Sequence, residues 1–97
     1  MNNAKKEFEE FFSNRSEIKC AEIQVRGVKA DLKVGHDEED YNNFLNLLDV
    51  KYDSGYGGQE LYGIVWFEDG TWAQRGEYDG SEWWEHYEVP KIPEQLY

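Results

Sequence analysis

Hydrophobic and polar positions along the chain repeat with two different periods, and the change of period marks out the elements. Over residues 3–15, Ala4, Phe8, Phe11 and Phe12 fall near an i, i+4, i+7, i+8 stripe while Lys5, Glu9 and Glu10 face away, which predicts an amphipathic helix with Asn3 as its cap. The period then becomes two. Ala21, Ile23 and Val25 alternate with Glu22, Gln24 and Arg26, and Val28, Ala30, Leu32 and Val34 alternate with Lys29, Asp31 and Lys33. Gly27 sits between the two runs as a hairpin turn.

A second helix is predicted over residues 37–49, with Tyr41, Phe44, Leu45 and Leu48 on one face and Asp37 capping the amides of Glu39 or Asp40. Residues 52–60 read as a loop. Three strands follow, 61–68, 71–78 and 82–89, turned at Asp69-Gly70 and Asp79-Gly80, because Asp-Gly between aromatic and β-branched runs is a strong hairpin signal. Pro90 and Pro93 end the sheet. The expectation is one α+β domain over residues 1–97, two helices packed on a five-stranded antiparallel sheet in the order α-β-β-α-β-β-β.

The last strand poses a choice of face. Alternation sends Trp83, Glu85, Tyr87 and Val89 to one side and Glu82, Trp84, His86 and Glu88 to the other. The favoured assignment puts Trp83, Tyr87 and Val89 inward, with Glu85 at an edge or paired to Arg75, and the reverse assignment stays open. Trp84 then becomes a surface anchor among glutamates.

Charge changes the picture more than composition does. The chain holds 21 acids against 10 bases, a net charge of −11, and 16 aromatic residues. Its second half is the more acidic, with ten acids and two bases over residues 52–97. Such a field repels phosphate and anionic lipid and draws basic surfaces, so direct nucleic-acid and membrane binding are excluded and a positively charged protein partner is expected. The alternative is that the acidity merely keeps an aromatic-rich domain soluble. One cysteine, Cys20, cannot form an internal disulfide, and no apolar run reaches the ~18 residues of a membrane span, which places the chain in a reducing cytoplasm.

Candidate chemistry is thin. Cys20, at a strand start with no histidine near it in sequence, reads as a small core residue, and His36 and His86 lack the supporting neighbours of an acid/base pair. One cysteine and two separated histidines do not make a zinc set, and neither acidic stretch has the spacing of a calcium loop. The Gly55–Gly58 stretch has acidic flanks and no Gly-Lys-Ser/Thr, so it is no phosphate cradle. No catalytic residue, metal or cofactor is expected. What remains is an acidic and aromatic constellation in the meander, from which Glu68, Asp69, Glu77, Asp79, Glu82, Trp84 and Glu88 are the candidate partner-binding residues. Carboxylates two apart on a strand stand ~6.7 Å apart, so such a strand displays a row of negative charge able to imitate a phosphate backbone.

The segments Trp66-Phe67-Glu68-Asp69-Gly70-Thr71-Trp72 and Gly76-Glu77-Tyr78-Asp79-Gly80-Ser81-Glu82-Trp83-Trp84 resemble small accessory proteins of bacteriophages and prophages. The likeness covers roughly the last third of the chain. With its size and charge, the chain is similar as a class to phage-encoded anti-CRISPR and anti-restriction proteins. That resemblance implies an inhibitor, acting in a bacterial host cell, that occupies the nucleic-acid-binding surface of a host defence complex as a DNA mimic. The alternative is a phage adaptor that binds a host enzyme without imitating DNA.

Overall fold

A computed structural model describes residues 2–13, 17–53 and 58–97. Its elements in chain order are strand β1 (Asn2–Asn3), helix α1 (Ala4–Phe12), strands β2 (Ile18–Val25) and β3 (Val28–Leu32), helix α2 (Glu38–Leu47), and strands β4 (Lys51–Tyr52), β5 (Leu61–Phe67), β6 (Trp72–Tyr78) and β7 (Ser81–Tyr87). A short 3₁₀ turn, Glu94–Leu96, closes the chain. The five long strands form one antiparallel sheet in the order β3-β2-β5-β6-β7. This is the expected α+β architecture, with a hairpin and a meander joined where β2 pairs with β5.

Local chemistry explains the boundaries. Asn3 accepts a hydrogen bond from the Lys6 amide and starts α1, while Asp37 and Asp40 satisfy each other's backbone amides in a capping box that starts α2. Arg26-Gly27 and Asp79-Gly80 are two-residue turns whose members all have positive φ, the geometry that matches the twist of the strands they join. The Asp69-Gly70 turn is built differently. Its register pairs Trp66 with Trp72 and its Gly70 amide donates to the Phe67 carbonyl, which makes a longer loop ending on a left-handed glycine.

Both helices lie on one face of the sheet. Ala4, Phe8 and Phe12 of α1 and Phe44, Leu45 and Leu48 of the α2 segment pack into a single core with Ala21, Ile23, Val25, Ala30, Leu32, Leu61, Val65, Phe67, Ala73 and Trp84. Phe8 and Phe12 both meet the Trp84 ring edge to face, at 6.2 and 5.2 Å.

Four expectations change. First, β3 stops at Leu32, so Val34 sits exposed beside a turn instead of extending the strand. Second, the supposed loop begins with a strand: Lys51–Tyr52 pairs with Asn2–Asn3, and Tyr52 is fully buried. Residues 54–57 of that segment, with Gly55 and Gly57, lie outside the described residues. Third, Cys20 is half-buried on the helix-free face opposite Trp66, not in the core. Fourth, the faces of β7 are reversed.

Glu82 and Trp84 point inward, 8% and 5% exposed, whereas Trp83 is 40% and Val89 73% exposed. The two-residue turn sets Trp84 opposite Arg75 and Glu82 opposite Glu77, so Ala73, Arg75, Glu82 and Trp84 share the core side. Two charged residues on a core face look wrong until they are seen to be each other's partners.

Candidate functional site

The buried charges form one cluster. Arg75 of β6 donates to Glu7 of α1, to the Tyr52 hydroxyl of β4 at 3.0 Å, and to Glu82 of β7 at 2.8 Å, while the Tyr52 hydroxyl donates to Glu7. The Glu82 carboxylate also accepts the backbone amides of Glu60 and Leu61, at 2.9 and 3.1 Å. Those amides open β5, where the β5–β6 register reaches only from Ile64 to Trp66, so the glutamate takes the place of the missing strand. The Arg75 guanidinium carbon also lies 5.3 Å from the centre of the Trp84 ring.

Burial, followed by the hydrogen bond to Glu7, pushes the Tyr52 phenol well above its ordinary range. Burial works against the Arg75 charge, but the hydrogen bonds it donates to Glu7 and Glu82 outweigh it and raise its pKa. A phenol kept protonated and a guanidinium kept charged between two carboxylates tie α1, β4, β6 and β7 together. They offer no proton at working pH.

Among the described residues, the sheet's other face carries no helix. Its outward positions form rows across the strands: Cys20, Trp66, Trp72 and Tyr87 in one, and Glu22, Ile64, Gln74 and Glu85 in the next. Tyr62, opposite Gln24, and Trp83, opposite Gly76, complete the surface. Tyr62, Trp66 and Trp83 are exposed, and Trp72 and Tyr87 half-buried because they stack on each other at 5.9 Å and 11°. An open depression of about 200 Å³ lies on this face beside Tyr62, Ile64 and Trp66, with Glu22, Gln24 and Lys29 at its rim.

The seven residues expected to bind a partner do not come together. Glu82 and Trp84 are buried. Glu68, Asp69 and Glu88 lie at one end of the β6–β7 hairpin and Glu77 and Asp79 at the other, separated by the seven residues of β6 and so by ~20 Å. Two of these acids brace turns: Asp69 accepts the Thr71 amide at 3.0 Å, and Glu77 accepts the Gly80 amide at 2.8 Å. Glu85 and the aromatic residues around it were passed over because the faces of β7 were assigned the wrong way round. The signal was available in the Asp79-Gly80 turn, which sets the register and places Arg75 diagonal to Glu82, within reach of a long side chain.

The imidazoles act locally. His36 Nδ1 is 2.8 Å from the Lys33 carbonyl, and His86 Nε2 is 3.2 Å from the Thr71 hydroxyl. Among the described residues no three of His, Cys, Asp or Glu stand close enough to hold a metal ion, and no helix is long and apolar enough to cross a membrane. Compared with protein-family models, curated proteins and solved structures, the chain gave no match.

Proposed function

We propose that this protein is a binding module, not an enzyme, and that it covers a positively charged surface of a protein partner with the helix-free face of its sheet. The observation that carries the reading is the cluster of Tyr62, Trp66, Trp72, Trp83 and Tyr87 on a face left bare by both helices, in a chain of net charge −11. A few anchor residues, enriched in Trp, Tyr and Arg, carry most of the energy at protein interfaces, and charge steers the encounter.

The partner chemistry that fits is a Lys/Arg-rich surface, of the kind that nucleic-acid-handling proteins present to phosphates, including a host defence complex. The placement of the acids favours covering such a surface over imitating DNA, because Glu68, Asp69 and Glu88 stand ~20 Å from Glu77 and Asp79 instead of forming an unbroken row. The mimic reading keeps the support of the overall charge. Binding a basic partner to labelled DNA at two salt concentrations, then adding this protein, tests both. Displacement of DNA supports inhibition by occupancy, whereas a complex containing both supports the adaptor. Binding that is unchanged in the Trp66→Ala/Trp83→Ala double variant overturns the proposed face.

A further inference from the structure

We infer that Glu85, between Trp83 and Tyr87 on the outward side of β7, is a guanidinium site that receives an arginine side chain of the partner protein. The inference rests on the binding-module reading and names the chemistry at the heart of that surface.

Three outward residues in a row set the geometry. The Glu85 carboxylate is held from both sides on one oxygen, Oε2, by the Tyr87 hydroxyl at 3.0 Å and by the Trp83 indole N–H at a longer 3.4 Å. An ionised carboxylate offers about four acceptor positions. Those donors take two, and Oε1 keeps its own. Among the described residues Glu85 has no ion pair with a lysine or arginine, and its cross-strand neighbour is the neutral Gln74. The Tyr87 phenol is raised chiefly by its hydrogen bond to Glu85. The carboxylate is thus oriented, exposed and uncompensated.

The aromatic walls are fixed as well. Trp83 packs against Gly76 so closely that a Cβ there would stand 2.7 Å from the indole nitrogen, which only glycine permits. Tyr87 is stacked on Trp72, whose own indole N–H donates to Gln74 at 3.2 Å. Side chains already ordered before binding lose little entropy on contact.

A carboxylate between aromatic rings discriminates among cations. Guanidinium is planar, weakly hydrated and forked, so it can donate to Oε1 while its plane lies against an indole, whereas ammonium is a compact and strongly hydrated point charge. β7 is the edge of the sheet, so a partner's main chain can run alongside it and reach Glu85 without displacing any strand. A second copy of this chain is the poorer occupant, since two bodies of charge −11 repel.

The probe is a nine-residue extended peptide with alternating arginines, compared with its lysine counterpart, titrated at low salt into the full chain while the indole N–H resonances are followed. The arginine peptide is expected to move the Trp83 indole signal and to bind at least three-fold more tightly than the lysine peptide. Glu85→Gln and Glu85→Asp should each weaken it five-fold or more, and Glu10→Gln, at an exposed position of α1, should leave it within two-fold. Thermal unfolding of each variant confirms that the fold is intact. An unmoved Trp83 signal, equal binding of the two peptides, or undiminished binding by Glu85→Gln overturns the guanidinium site while leaving a general acidic binding surface standing. No binding of either peptide overturns both.

Discussion

Arg75 and Trp84 stand directly opposite each other in the β6–β7 ladder, and both face the core. A tryptophan in that position, with Phe8 and Phe12 against its ring, belongs to the fold before it belongs to any interface. Trp84→Ala is therefore expected to lower the free energy of unfolding by ~3–5 kcal/mol, measured by urea denaturation. A loss of partner binding in a Trp84→Ala protein with unaltered stability would contradict this placement.

The Arg75 cluster should respond unevenly to its two acids. The Glu82 side chain is fully enclosed and that of Glu7 is 28% exposed. Removing Glu82 takes from Arg75 the more enclosed of its two carboxylates and leaves the Glu60 and Leu61 amides without an acceptor, so Glu82→Ala should cost ~3–5 kcal/mol and Glu7→Ala distinctly less. Replacing both partners together, Arg75→Met with Glu82→Leu, should recover only the part of the loss that comes from the buried guanidinium, because the Glu60 and Leu61 amides still lack an acceptor.

Tyr52 makes stability depend on alkaline pH. Its phenol is raised in the folded chain by burial and by the Glu7 hydrogen bond, so above about pH 10 the unfolded chain releases this proton while the folded chain keeps it. The contribution is complete below the unfolded value and is lost as pH climbs toward the folded one. Unfolding free energies measured from pH 9 to 11.5 should fall more steeply for the wild type than for Tyr52→Phe. Parallel slopes would show that the phenol titrates alike in both states.

Acids at the hairpin ends should matter little to folding. Glu68, Asp79 and Glu88 are exposed, and reversing any one of them to lysine should change stability by less than ~1 kcal/mol. Reversing all three should slow association with a basic partner and flatten its dependence on salt, as read from stopped-flow rates at two ionic strengths.

Much of the fold was legible because local chemistry and long-range packing agree in it. The Phe8/Phe12 and Phe44/Leu45/Leu48 stripes, the Asp37 cap and the turn glycines each announce an element without reference to the rest of the chain. The Lys51–Tyr52 strand was invisible because two residues show no period, and its partner is a pair of asparagines ahead of α1. Glu82 and Trp84 were placed on the wrong face for one reason. Glu82 was read as outward and Arg75 as a possible partner for Glu85, and the face of β7 follows from pairing Arg75 with Glu82 instead. Once Glu82 turns inward, Trp83, Glu85 and Tyr87 turn outward together, and the acidic row gives way to an aromatic surface.

The joint between β2 and β5 also governs how fast the chain can assemble. Ile18 pairs with Phe67, although the Val25–Val28 and Tyr78–Ser81 turns each close over only two residues. Those hairpins can form in ~1–10 μs, but neither buries a complete core face alone. Joining the two requires β2 to meet β5 across the α2 segment, a closure whose entropy must be lost before its contacts repay it. Folding should accordingly run on the millisecond-to-second scale of sheet proteins and not the microsecond scale of its own hairpins, and substitutions at Ile23 or Val65 should slow it more than substitutions near either turn.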